Sequence, residues 1–207
     1  MDGIISDIVR STLKHENMFE EFVNHISFNP TNLKDIKIYT KKVGDIWERF
    51  CAIYLEKIHG MKVFALKDCP FEILSKLHMK RQDVGIDLIA SDKSDNYIAI
   101  QCKYRKTFKK LSWRDVATFD ALCMRTGPWY KCIVMTTSRY LKREGLTRTE
   151  DIFWGKTHFA RLNKYDWLLI GNLGSGNCCG GDIEVDVNTA RLKYYENNSS
   201  KSEKLSF

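Results

Sequence analysis

The stretch "VGIDLIASDKSDNYIAIQCKYRK", residues 84–106, decides how the chain is read. Two apolar runs, Ile86–Ala90 and Tyr97–Ile100, flank the polar segment "SDKSDN", the pattern of a β-hairpin closed by a turn. Asp87 interrupts the first run, and Gln101 and Lys103 end the second, where a plain hairpin has no need of a carboxylate, an amide and an amine. Side chains alternate along a strand, so Ala99, Gln101 and Lys103 share one face and Ile98, Ile100 and Cys102 the other. Asp87 and Ile89 share a face on the first strand. If Ile89 pairs with Ala99, Asp87 stands opposite Gln101 with Cβ atoms about 5 Å apart. A slip of one residue would send it to the other face.

A carboxylate and an amide oxygen converging at that distance can share a hard cation such as Mg²⁺, which takes oxygen ligands and leaves positions for water and a phosphate. Lys103 would lie beside the ion, where an amine can orient or deprotonate an attacking water and offset charge on a phosphorane-like transition state. That is chemistry for a phosphodiester.

Around the hairpin, "VGDIWERFCAIYLEKIHG" at 43–60 is the strongest helix signal. Val43, Ile46, Trp47, Phe50, Cys51, Tyr54 and Ile58 form one stripe, and Gly60 is placed to cap it. Two short helices are expected before residue 40, broken at "NPTN". "MKVFAL" (61–66) reads as a buried strand, followed by an irregular stretch holding a helical turn. "LSWRDVATFDALCMRTGP" reads as a helix with a Ser112–Asp115 capping box and a Leu111–Val116 staple. "KCIVMTT" (131–137) reads as the next strand, and "DWLLIG" and "DIEVDV" as further strands. The order is α, β, β, β, α, β.

Asp87, thirteen residues, then Gln101-x-Lys103, in that element order and preceded by a helix bearing Glu48, resembles the PD-(D/E)xK nuclease superfamily, above all its Mrr-type restriction endonuclease branch with "GxD" followed by "QxK". The resemblance covers about residues 43–137. It implies an α/β restriction-endonuclease-like αβββαβ core, with a mixed central sheet flanked by helices, and a Mg²⁺-dependent DNA endonuclease, Mn²⁺ being a plausible substitute ion. It implies that Asp87 is the central metal ligand, Gln101 a second and the Cys102 carbonyl a third, with Lys103 acting on the water. Glu48 matches the family's helix carboxylate. It lies about 120° from the centre of the apolar stripe, so it either reaches the site, directly or through water, or is a plain surface residue. Asp83 either contacts the metal or shapes the turn, and Gly85 allows close backbone approach. Products with 5′-phosphate and 3′-hydroxyl ends are implied. The chain departs from the family at Gln101, where the usual acid is replaced by a neutral amide that lowers metal affinity. About 42 residues before the core helix are also few for a separate winged DNA-reading domain.

The totals agree with a polyanion partner. The 207 residues carry 33 Lys+Arg against 26 Asp+Glu, a net charge of +7. Arg105, Lys106, Lys109 and Lys110, with Arg114, follow Lys103 directly and suit a phosphate-tracking rim; Arg139, Lys142 and Arg143, after the fourth core strand, suit further DNA contacts. Trp113, Trp129 and Trp154 read as packing residues rather than base-stacking platforms. Seven cysteines, an odd number, read as reduced thiols of an intracellular protein, cytoplasmic or nuclear. The N-terminal segment lacks a secretory h-region, Asp2 stands where myristoylation needs glycine, and no run suits a membrane span. No Cys or His spacing suits zinc.

The organisation expected is an N-terminal helical extension over 1–42, a nuclease domain over 43–195 and a polar, disordered tail over 196–207. Other readings of the function are a structure-specific nuclease, such as a Holliday-junction resolvase or a helicase-associated enzyme, and a non-catalytic DNA-binding module on the same scaffold. Double-strand cutting would need a homodimer.

Overall fold

The computed structural model describes residues 1–27, 33–105, 110–139 and 151–173, with backbone alone at 33–35 and 151–152. Within the unit Met1–Asn172, helices α1 (Asp2–Thr12) and α2 (Met18–Ile26) precede a long α3 (Leu33–His59). Strand β1 (Lys62–Ala65) leads through a 3₁₀ turn (Leu66–Asp68) to α4 (Phe71–Lys76). The hairpin β2 (Leu88–Ser91) and β3 (Tyr97–Lys103) follows, then α5 (Trp113–Arg125), β4 (Lys131–Thr136), β5 (Asp151–Trp154), α6 (Lys156–Phe159) and α7 (Lys164–Ile170).

The five strands form one sheet in the order β1-β2-β3-β4-β5. The first three are antiparallel neighbours, and β4 and β5 run parallel to β3. Ile89 pairs with Ala99, the register that alternation requires. The turn is held by Asp92, whose carboxylate accepts from the Ser94 and Asn96 amides at 2.8 and 3.0 Å, an Asx arrangement suited to "SDKSDN".

Both faces of the sheet are covered, which is why the strands read as apolar runs. Ile89, Ala99, Cys132 and Val134 pack with Val116, Phe119, Leu122 and Cys123 of α5. The opposite face meets α3, where Val43, Ile46, Trp47, Phe50, Cys51 and Tyr54 are buried, the stripe that helical periodicity selects. Phe22 of α2, Phe159 of α6 and Trp167 of α7 close on Phe50, with ring centroids at 4.5, 5.8 and 5.7 Å. The Trp47 indole N–H donates to the Met135 carbonyl at 3.2 Å, whereas the indole N–H of the equally buried Trp167 has no partner among the described residues. None of the described helices is long and apolar enough to cross a membrane.

Two sequence expectations change, and one strand is added. "DWLLIG" is not a strand: it lies in α7, where Asn163 caps the Tyr165 and Asp166 amides and the Asp166 carboxylate accepts from the Asn163 amide. A capping box, with Trp167 and Ile170 buried three residues apart, outweighs the strand-like run of apolar residues. The core helix begins at Leu33, so the 42/43 boundary falls inside it. Ile36 and Ile38 near its start are exposed, so no buried stripe marks that part of the helix. Strand β5 went unanticipated. "NPTN" and "DIEVDV" lie outside the described residues.

Candidate active site

Strand β2 starts one residue after Asp87, and that offset shapes the site. The Asp87 amide donates to the Ile100 carbonyl at 2.9 Å, and its carbonyl accepts from the Leu66 amide at 3.0 Å. Its carboxylate then takes the Cys102 amide at 2.7 Å. Where a longer β2 would offer a backbone carbonyl to Cys102, the Asp87 side chain supplies the acceptor instead. The carboxylate therefore sits where β2 gives out, with the α3 face on one side and the α5 face on the other.

Gln101 is 2% exposed, on the α5 face with Lys103. Its amide nitrogen donates to the Gly85 carbonyl at 2.9 Å. Only the nitrogen can donate, so this contact fixes the orientation of the amide. The Oε1 atom that remains is buried and without a hydrogen-bond partner among the described residues. A buried orphan acceptor costs about 1–3 kcal/mol unless something supplies positive charge or a proton.

The loop before Asp87 is built for close approach. Gly85 has φ +126°, and a Cβ there would lie 3.1 Å from the Thr118 carbonyl of α5. Asp83 accepts from the Lys80 amide at 2.8 Å, so in this structure it shapes the turn.

Glu48 reaches the same place from α3. Burial first, then the charge of Asp87, pushes its carboxyl up to about 7, and Lys67 opposes the rise. Asp87 is also raised, chiefly by burial, against the pull of the Cys102 amide and the Lys103 ammonium. The Asp87 charge thus acts on Glu48, and the Lys103 ammonium on Asp87. The Cys102 thiol points away from Gln101, toward the Cys51 thiol of α3, and burial raises it well above its ordinary value. It is an inert core group; only its backbone belongs to the site.

The rim residues fare unequally. Arg105 is half-buried and occupied: its guanidinium meets the Asp115 carboxylate at 2.5 Å, and its amide and carbonyl are both bound by the Thr137 hydroxyl. It serves the cap of α5, where the Ser112–Asp115 box forms as expected. Lys110, Arg114 and Arg139 are exposed. Lys106, Lys109, Lys142 and Arg143 lie outside the described residues. No group of three or more His, Cys, Asp or Glu side chains among the described residues converges as a metal site.

Sequence reasoning passed over Lys67. It follows β1 and acts on Glu48 only because the sheet brings the end of β1 beside α3, and no local pattern carries that signal.

Residues 56–154 match a family model described as restriction endonuclease. No curated protein matches the chain. Among solved structures, the MspJI restriction endonuclease in complex with a 27-mer oligonucleotide is similar, at 11% identity and a TM-score of 0.40, covering 81% of this chain and 37% of that one. The family match spans β1 to β5, just under half of the chain, and leaves Glu48 of α3 outside it.

Proposed function

We propose that the chain is a metal-dependent DNA endonuclease that hydrolyses phosphodiester bonds at Asp87, Gln101 and Lys103, with Glu48 assisting. The observation that carries this reading is the Gln101 side chain: its nitrogen is tied to Gly85, and its buried oxygen has no partner among the described residues. A hard divalent cation, Mg²⁺ by preference, is the partner that such an oxygen suits beside a carboxylate. Asp87, Gln101, Glu48 and the Cys102 carbonyl would hold the ion. Bound there, it would offset the charge of the scissile phosphate and favour ionisation of water.

The chain's own groups do the rest. The Cys102 amide fixes the rotamer of Asp87, so one carboxylate oxygen stays available. Lys103 projects from the α5 face beside Asp87 and places its ammonium where charge accumulates on the phosphoryl oxygens, or where a water can be oriented. Glu48, poised near neutrality, accepts a proton or a ligand role with little change in free energy.

Supercoiled, linear, single-stranded and four-way-junction DNA incubated with Mg²⁺ tests the reading. The wild type is expected to cut at least one, and Asp87→Ala and Lys103→Ala each to lose at least about 100-fold in rate. No cutting of any substrate, or cutting indifferent to both substitutions, refutes it. The substrate cut best separates a duplex enzyme from a junction-specific one.

A further inference from the structure

The sheet register aligns the ends of its strands along one edge. Ala65 pairs with Leu88, Leu88 with Ile100, and Lys103 with Thr136. The end of β1, the start of β2 and the ends of β3 and β4 therefore lie side by side, with Asp87 between them. On the β3–β4 side of Asp87 the edge offers Lys103, Arg114 and Arg139. On the β1 side lies a cleft of about 540 Å³ between α3 and β1. Its apolar floor includes Ala52, Val63, Ala65 and Leu88, and Glu48 stands in its wall.

Three side-chain cations line this cleft: Lys41, Arg49 and Lys67. Arg49 is committed, because its guanidinium grips the Asp2 carboxylate at 2.6 and 2.8 Å. Lys41 and Lys67 are exposed, and neither has a hydrogen bond or ion pair with any described residue. Lys41, and Lys67 whose charge also acts on Glu48, put two exposed ammonium groups on a cleft that opens beside Glu48, matched by a ligand carrying separated negative charges. Asp45 and Asp68 share the cleft. Their side chains are shorter than lysine's, which confines favourable anion contact to the rim that the ammonium groups can reach.

From this we infer that the α3–β1 cleft is a second DNA subsite, in which Lys41 and Lys67 hold phosphates of the strand on the β1 side of the scissile bond. This rests on the endonuclease reading. The substrate is thereby gripped on both sides of Asp87, and not by the basic run after Lys103 alone. Arg105, which opens that run, is spent on Asp115, so the β1 side supplies charge that the run does not.

Each phosphate contact releases counterions and steepens the salt dependence of binding by about 0.7–0.9 in log–log slope. A fluorescein-labelled duplex titrated with the full-length chain in EDTA, between 50 and 200 mM salt, reads this slope without cutting. The double variant Lys41→Gln/Lys67→Gln should flatten it by about 1.8 on this duplex. Lys41→Arg/Lys67→Arg should keep the wild-type slope, and Lys57→Gln, at the other end of α3, should not alter it. An unchanged slope in the double Gln variant, with the wild type still binding and cutting DNA, overturns the subsite and spares the nuclease reading. A flattening that Lys57→Gln equals overturns the subsite as well, since the effect would be one of net charge. If the wild type neither binds nor cuts, both fall.

Discussion

Replacing Glu48 with Gln should make the metal-free protein more stable while disabling it. In the folded state this carboxyl titrates at about 7, against an ordinary value of 4.5, with burial the largest cause and the Asp87 charge the second. The folded state thus holds a proton more tightly than the unfolded one. The stability this confers is fully present below pH 4.5 and is lost as pH rises through 7. Two and a half pH units set a ceiling of about 3.4 kcal/mol. Glu48 is only half-buried, and solvent screening reduces that to about 1–2 kcal/mol. Gln is nearly isosteric and has no charge to desolvate, so Glu48→Gln should gain this amount at pH 8 and nothing at pH 4. For a chain of this size the gain corresponds to roughly 2–8 °C in Tm. Thermal denaturation of both proteins in EDTA, at pH 4, 6 and 8, reads it directly. Added Mg²⁺ should narrow the gap at pH 8, because a ligand bound only by the folded state stabilises the protein that binds it better. A Glu48→Gln protein no more stable than wild type at pH 8, or equally favoured at pH 4, would refute the account of a carboxylate held at a cost for function.

Other perturbations separate the supports of the site. Gly85→Ala forces a side chain into positive φ and against the Thr118 backbone; it should cost about 1–3 kcal/mol in urea melts and lower the cleavage rate further by displacing Asp87, whereas Asp83→Asn should leave the rate near wild type. Asp115→Ala removes both the cap of α5 and the partner of Arg105; a loss of about 0.5–2 kcal/mol is expected, with less than that contradicting the capping role. Burial and the neighbouring His59 depress His158 to about 4, so its neutral form favours folding above pH 6.5 and that contribution is lost as pH falls through 4. Partial exposure limits it to about 1–2 kcal/mol, and His158→Phe should flatten that portion of the stability–pH curve while wild type keeps it.

How far the sequence leads depends on whether a residue's role is set by near neighbours or by assembly. The register of the hairpin was legible because apolar alternation and an Asx turn point to one pairing, and Ile89 meets Ala99 accordingly. The capping box of α5 and the α3 stripe were legible for the same reason: each is a pattern within a few residues. "DWLLIG" was misread because a short apolar run carries no period of its own, and the deciding signal was the Asn163–Asp166 cap just ahead of it. The geometry of the site lay further out of reach. That Asp87 replaces a backbone acceptor for Cys102 follows from β2 being one residue too short to reach it. That Gln101 has an idle oxygen follows from Gly85 taking its nitrogen, and Gly85 is there because α5 leaves no room for a Cβ. Both arise only when three elements meet. The neutral Gln101, the motif's departure in sequence, thus becomes intelligible in the fold. An amide can satisfy one buried carbonyl and still present an oxygen, whereas a carboxylate at 101 would face the Gly85 carbonyl with a second acceptor and nothing to donate.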